Sequence, residues 1–229
     1  MSLSQPNQIL AALPNAEYQR LAPHLTASEL SANQNLFKPK QKTFSAYFPT
    51  QGVVSLVTVM QNGSTTEIGL IGRDGLVGIF QTLGEDHINS RATVQIAGEA
   101  LQIDADTLRA EFERGGMLQK LLLRYSLTLF NQVSQCSACN NHHTVEQRFA
   151  RWLLMVQDRL DREECIPFTQ QFLSRMLGTR RASITEVAQD VQRQGAIAYH
   201  RGRIEITDRP ALEAIACECY QIVKAELTP

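Results

Sequence analysis

The chain of 229 residues lacks the features that mark membrane, secreted or catalytic proteins. It contains no run of about 18 apolar residues, which excludes a predicted transmembrane helix. Residues 1–15 lack the basic and then hydrophobic pattern of a secretory leader, so we expect a cytoplasmic protein. No nucleophile elbow, Walker loop or paired metal-hydrolase histidines are present, so the sequence does not predict an enzyme.

Cysteine and net charge are also scarce. None of the five cysteines lies before Cys136, and an odd number without N-terminal grouping is not the framework of a secreted disulfide scaffold. The net charge is only -1, but residues 169–209 hold seven arginines and four acidic residues. Because binding to nucleic acid depends on the cations that touch phosphate, this local excess still permits a DNA-binding protein.

The first half of the chain has the pattern of short β-strands. Residues 53–59 form a β-branched run that ends at Gln61-Asn62-Gly63, and residues 65–71 resume an extended pattern, which predicts a hairpin. Residues 92–96 and 100–103 add two further strands. Several short strands at this spacing predict a sandwich or barrel.

A long helix is predicted from Met117 to about His143, because one stripe of residues recurs at alternating spacings of three and four. We expect this stripe to face the same helix of a partner subunit, which predicts a homodimer, and a second stripe to rest against the β domain. Alternatively, both stripes face the core of one chain. The first stripe is Leu122, Tyr125, Leu129, Gln132, Cys136, Cys139 and His143, and the second is Leu123, Leu127 and Phe130.

The second half of the chain predicts helices and a β-ribbon. Thr144 and Gln147 form a capping-box pattern, so a new helix begins there and residues 140–144 form a hinge. Residues 169–206 predict two short helices joined at Gly178 and followed by a two-stranded wing with an arginine-rich tip. One projecting helix beside a basic tip fits a DNA groove. The alternative is an ordinary helical hairpin followed by a ribbon.

This order of elements resembles the Crp/Fnr family of bacterial transcription regulators over approximately residues 8–209. The resemblance implies an α+β fold with an N-terminal double-stranded β-helix (jelly-roll, cyclic-nucleotide-binding-like) domain over 1–116. A long dimerisation helix over 117–143 and a C-terminal winged helix-turn-helix domain over 144–229 would follow. The segments that carry the resemblance are GLVGIF at 75–80, SRATV at 90–94, RFARWLL at 148–154 and FLSRMLGTRRASITEV at 172–187.

The resemblance implies a homodimeric regulator that binds double-stranded DNA at a pseudo-palindromic operator, with RNA polymerase as a further partner and no membrane association. The family's base-reading arginine falls at Arg181, whose guanidinium could contact guanine in a bidentate manner. Arg180 and Arg201 are expected to contact phosphates. The predicted DNA-binding residues are Thr169, Gln170, Arg180, Arg181, Ser183, Thr185, Glu186 and Arg201.

In this family the β-roll holds a cyclic nucleotide, but the present sequence departs from the pattern. Gly78 matches the family's glycine, whereas Ile79 stands where a glutamate holds the ribose, and Ala92 follows Arg91 where a serine or threonine is usual. We therefore expect no cyclic AMP and no defined cofactor, but an unidentified small-molecule effector or none, and we expect His87 to be an exposed loop residue. The predicted effector-binding positions are Gly78, Ile79, Ser90, Arg91, Ala92, Thr93 and Ser134.

Soft metal ligands lie near the end of the long helix. Cys136, Cys139, His142 and His143 occupy positions i, i+3, i+6 and i+7, so they share one side of a helix. The pattern suggests a redox- or metal-responsive regulator, although cysteines also fill helix interfaces as small apolar side chains. Cys217 and Cys219 are expected to point in different directions and to form no shared site. A further alternative is a nucleotide- or partner-binding signalling module that does not bind DNA.

Overall fold

The computed structural model describes residues 7–40, 42, 44–85, 88–160 and 165–226. The chain divides into two compact units, one formed by Met1–Leu56 and Ile71–Phe130, the other by Val57–Leu70 and Asn131–Thr228. These units are divided at other residues than the predicted domains, whose boundaries at 116 and 143 stay a prediction. None of the described helices is long and apolar enough to cross a membrane.

Two antiparallel β-sheets dominate the first half of the described chain. One sheet has the strand order β1-β7-β3, and the other has the order β2-β6-β4-β5. The predicted hairpin is confirmed: β4 and β5 are neighbours, and Gly63 takes a positive φ of 80° in the turn between them. The strands are β1 Thr26–Leu30, β2 Asn35–Phe37, β3 Ser45–Pro49, β4 Val53–Val59, β5 Thr65–Ile71, β6 Ser90–Ile96 and β7 Gly98–Asp104.

Helices frame these strands. Two short helices, α1 (Gln8–Ala11) and α2 (Asn15–Leu21), precede them, and α3 (Ala105–Glu113) follows them. Asp104 caps α3 by accepting a hydrogen bond from the Thr107 backbone N–H. The long helix α4 then runs over Met117–His142, close to the predicted bounds.

The two apolar stripes of α4 are exchanged relative to the prediction: the first is buried within the chain, and the second is exposed. Leu122 and Tyr125 of the first stripe are buried in the core of the first unit, packed with residues of the strands and of α1–α3. Leu123, Leu127 and Phe130 of the second stripe are 49%, 60% and 67% exposed. The prediction was wrong because spacing identifies the two faces but does not say which one the same chain covers. The first stripe is therefore core, and the second is open.

The second unit contains the winged helix-turn-helix domain. Its first helix, α5, begins with the predicted capping box of Thr144 and Gln147. A small sheet has the order β8-β10-β9, so a third strand that the sequence did not predict completes the wing. The elements are α5 Val145–Arg159, β8 Cys165–Ile166, α6 Gln170–Met176, α7 Arg181–Arg193, β9 Ile197–His200, β10 Arg203–Ile206, α8 Arg209–Ile215 and α9 Cys219–Glu226.

Trp152 is one of the largest fully buried side chains of this unit. Its indole ring packs edge-on against Phe168, with 4.8 Å between ring centroids. Its Nε1–H donates a 2.7 Å hydrogen bond to the buried carboxylate of Glu67, which comes from the tip segment Val57–Leu70 of the β4–β5 hairpin. Buried Arg148, four residues before Trp152, donates to the carbonyl of Leu177 at the end of α6. The segment RFARWLL is buried although it carries two arginines, because Arg148 donates to Leu177 and Arg151 donates to the sulfur atoms of Cys136 and Met155.

Replacement of Leu122 by alanine tests the orientation of α4. Leu122 is fully buried, so Leu122→Ala should lower the free energy of unfolding by about 2–5 kcal/mol. Leu83→Ala is the matched control, because Leu83 belongs to the same unit but is 54% exposed, and it should change the stability by less than about 0.5 kcal/mol. Urea denaturation of both variants measures the free energy of unfolding. Equal losses of stability in the two variants would contradict the burial of the Leu122 face of α4.

Candidate functional site

The N-terminal half of α7 presents polar side chains because its other face is anchored in the core. Ile184, Ala188 and Val191 are buried at helical spacing. Arg181 and Glu186 are exposed on the same helix, and Ser183 and Thr185 are half-buried. Arg180 is the N-cap residue in extended backbone, so its side chain lies at the entrance to the helix, where it is exposed.

The start of α6 is held next to α7. The Thr169 hydroxyl caps α6 by accepting a 3.2 Å hydrogen bond from the Phe172 backbone N–H. The Thr185 hydroxyl lies 3.0 Å from Gln170 Oε1 and 3.1 Å from the Arg181 carbonyl, and its one hydrogen is shared between these two acceptors. Gln170 and Thr185 therefore link the two helices, and Thr169 caps the first of them.

These side chains border one open groove between α6, α7 and the wing. Five of the eight predicted DNA-binding residues line it, whereas Arg180, Ser183 and Glu186 do not. Sequence reasoning missed the groove residues Gln189 and Gln192, although their spacing of four and seven from Thr185 places them on the same face of α7. The groove is lined by Thr169, Gln170, Gln171, Arg181, Thr185, Ala188, Gln189, Gln192, Tyr199, Arg201 and Gly202.

The wing is fixed to α7 and ends in a tight turn. Gln192 Oε1 accepts a 2.7 Å hydrogen bond from the Tyr199 backbone N–H. The Tyr199 hydroxyl donates to the Phe168 carbonyl at 3.3 Å, and burial raises the pKa of Tyr199, so this hydroxyl stays neutral. At the tip, Arg201 and Gly202 have φ values of 48° and 80°, as a two-residue type I′ turn requires. Glycine and asparagine favour such positions, so arginine at 201 stores backbone strain.

The predicted effector positions of the β-roll are mostly apolar or already paired. Gly78 has a φ of 100° and precedes a short 3-10 helix, Ile79–Leu83, whose first residue is only 7% exposed. Ser90 and Ala92 are buried, and the Thr93 hydroxyl donates to Asn35 Oδ1 at 2.9 Å.

Arg91 and Ser134 are the remaining predicted effector residues. Arg91 is half-buried, and its Nε is buried without a hydrogen-bond partner in the part of the chain that the structure describes. Ser134 lies on α4 in the second unit and is exposed. His87 lies outside the described residues.

The soft ligands are arranged differently from the prediction. Cys136 turns toward Arg151, whose Nη1 donates to its sulfur at 3.3 Å, and His142 is exposed. Only Cys139 and His143 of the predicted set come together, and Cys217 and Cys219 join them.

The expectation that Cys217 and Cys219 share no site was therefore wrong. It failed because Cys217 precedes α9 and only Cys219 is helical, so both thiols converge. The hydrogen bond between Cys139 and Cys217 lowers the pKa of Cys217 and raises the pKa of Cys139.

Comparison with known proteins identifies both parts of the chain. Residues 27–114 match the model of the cyclic nucleotide-binding domain, and residues 147–215 match the model of the Crp-like helix-turn-helix domain. Together these ranges cover more than half of the chain. No curated protein matches the chain in sequence.

Three solved structures illustrate the likeness in fold. FixK2 from Bradyrhizobium japonicum has a TM-score of 0.72 at 12% identity, covering 84% of this chain and 98% of its own. The c-di-GMP-responsive global regulator CLP from Xanthomonas campestris has a TM-score of 0.70 at 14% identity, covering 85% and 100%. TTHB099, a transcriptional regulator from Thermus thermophilus, has a TM-score of 0.67 at 16% identity, covering 82% and 96%. With a β-sandwich domain, a long helix and a helix-turn-helix domain, the chain belongs to the Crp/Fnr family of transcriptional regulators.

Proposed function

We propose that the chain is a homodimeric, sequence-specific regulator whose two copies of α7 enter successive major grooves of a pseudo-palindromic operator. Such half-sites lie about 34 Å apart along the DNA. The observation that carries the proposal is the groove between α6, α7 and the wing, whose lining includes Arg181 and Arg201. Family membership supports RNA polymerase as a further partner and a cytoplasmic location.

Arg181 is the residue proposed to read a base. It is the first residue of α7 and is exposed, and residues at the N-terminus of a recognition helix reach base edges. An arginine that contacts both acceptors of guanine contributes about 1–3 kcal/mol of discrimination against other bases. Glu186 and Ser183 lie farther along the helix, where Glu186 can accept a hydrogen bond from cytosine N4.

The other predicted residues are proposed to position the protein on the sugar-phosphate backbone. Arg180 supplies a cation at the start of α7 and Arg201 one at the wing tip, and Thr169 and Gln170 lie at the start of α6. Because Gln170 accepts from Thr185 through its oxygen, its amide N–H groups are directed elsewhere and can donate to a phosphate. Such contacts raise the affinity for every DNA sequence by the same factor.

The exposed stripe of α4 is proposed to be the dimer interface. Leu123, Leu127 and Phe130 follow one another at spacings of four and three, which is the spacing of a two-helix seam. Exposed side chains of this size are costly in water, and pairing with the same stripe of a second copy removes them from water. Ser134 continues the same spacing and would lie in the seam.

The β-roll is proposed to receive a small-molecule signal other than cyclic AMP. Ile79 occupies the position of the family's ribose-binding glutamate, and its buried apolar side chain offers no acceptor to a hydroxyl. The half-buried Arg91 retains a guanidinium that suits an anionic ligand.

Charge reversal at Arg181 tests base reading. Arg181→Glu should abolish binding to target DNA selected from a random pool, because it removes the guanine contact and repels phosphate, while the dimer persists. Arg193→Glu is the matched control, since Arg193 is exposed at the other end of α7 and outside the groove. Gel-shift titrations measure DNA binding, and sedimentation measures the dimeric state. Retained binding by Arg181→Glu would refute the role, and failure of the wild type to enrich any DNA would favour a signalling module without DNA binding.

Replacement of Arg201 by asparagine tests the role of its positive charge while preserving the backbone conformation of the turn. Asparagine tolerates the left-handed backbone at the wing tip better than arginine, so Arg201→Asn should leave the thermal midpoint unchanged or raise it. It should weaken binding to target and unrelated DNA by the same factor and reduce the dependence of affinity on salt. A loss confined to the target sequence would contradict the proposed phosphate contact.

A charge in the exposed stripe tests the dimer interface. Leu127→Glu should shift the protein from dimer to monomer in analytical ultracentrifugation, because it places a carboxylate in the centre of an apolar seam. Leu83→Glu adds the same charge at another exposed leucine and should leave the dimer intact. A dimer that survives Leu127→Glu with unchanged affinity would show that another surface joins the two copies.

A further inference from the structure

Three cysteines and one histidine of the second unit converge at the end of α4. Cys139 lies on this helix and His143 follows it one turn later. Cys217 lies in the segment between α8 and α9, and Cys219 is the first residue of α9. Their sulfur atoms and one ring nitrogen all lie within 4.8 Å of one another. The three cysteines are 4% exposed or less, so the cluster is shielded from water.

The distances match the edges of a tetrahedron around a single ion. The Sγ atoms of Cys139 and Cys217 are 3.5 Å apart, and Cys219 Sγ lies 3.5 Å from His143 Nδ1. With zinc-to-sulfur bonds of about 2.3 Å, a tetrahedral site has sulfur atoms about 3.8 Å apart. Four donor atoms within 4.8 Å enclose one ion but leave no room for a multi-iron cluster.

The surrounding groups orient the four donors. His143 Nε2 lies 3.1 Å from a carboxylate oxygen of Glu218, so its proton points there and Nδ1 faces the cysteines. A carboxylate that holds the second ring nitrogen is the usual partner of a metal-bound histidine. Gln135 Nε2 donates a 3.0 Å hydrogen bond to Cys219 Sγ, which stabilises a thiolate.

A buried cation balances the charge of such a site. Three thiolates and one divalent ion carry a net charge of -1. The guanidinium of Arg151 is 4% exposed, and its hydrogen bonds within the described residues go to sulfur atoms of Cys136 and Met155. Burial lowers the pKa of Arg151, but the neighbouring cysteines raise it by a larger amount. The net effect is a raised pKa, so the guanidinium is cationic. A cation buried without a carboxylate is stabilised by an anionic centre nearby.

We propose that Cys139, His143, Cys217 and Cys219 bind one zinc ion, which fastens the start of α9 and the segment before it to the end of α4. The ligands are three soft sulfurs and one imidazole in tetrahedral spacing, which is the ligand set of structural zinc. All four coordination positions belong to protein, so the site holds the fold and catalyses nothing. The ion also lies next to the break between α4 and α5, because His143 directly precedes the cap residue Thr144.

Metal analysis of the intact purified protein tests this proposal. Native mass spectrometry and elemental analysis should find one zinc ion per chain, and replacement by cobalt should give the intense visible absorption of tetrahedral thiolate coordination. Cys217→Ser and His143→Ala should reduce the bound metal to less than a tenth of an ion per chain. Removing zinc with a chelator should lower the thermal midpoint of the wild type, and adding zinc should restore it.

Two neighbouring residues serve as matched controls. Cys136 is buried on the same helix but faces Arg151, and His142 is exposed, so Cys136→Ser and His142→Ala should each keep one zinc ion. The proposal is overturned if the wild type binds no zinc at equimolar concentration, or if these controls lose the ion as completely as the ligand variants do. A Cys139–Cys217 disulfide in the isolated protein, detected as a loss of two hydrogens in mass, would also overturn it in favour of a redox site.

Discussion

The rest of the structure depends on one helix that carries two apolar faces. Leu122 and Tyr125 on the inner face of α4 are packed in the core of the first unit, and the turns that follow contribute Gln132, Cys136 and Cys139 to the second. Because this inner face is satisfied within the chain, the opposite face, with Leu127 at its centre, remains in water. If this exposed face is the proposed dimer interface, the dimer carries two copies of α7.

The proposed DNA-binding surface rests on a small core that polar contacts supplement. Trp152 is held by Glu67 on one side and by the ring of Phe168 on the other, and Arg148 ties α5 to the end of α6. On the surface, the hydrogen bond between Thr185 and Gln170 joins α7 to the start of α6. The groove is consequently built from residues that position one another, and Arg181 projects from a fixed helix start instead of from a mobile loop.

Local elements of the fold could be predicted from the sequence, whereas the distant residues against which they pack could not. The turn at Gly63, the capping box at Thr144 and the two helices around Gly178 follow from residue type and spacing, because their interactions span only a few residues. The inward face of α4 and the meeting of Cys139 with Cys217 depend on contacts between residues far apart in the chain. Periodicity carries no information about such contacts, so the stripes were assigned the wrong way round and the cysteine pair was missed.

Selection of binding sites from random DNA by the intact protein tests the central claim most directly. If an exposed α4 face joins two copies that each present α7, the enriched sequences should contain two inverted half-sites whose centres are one helical turn apart, about 10 to 10.5 base pairs. Enrichment of single, unpaired half-sites, or of no sequence at all, would contradict the account.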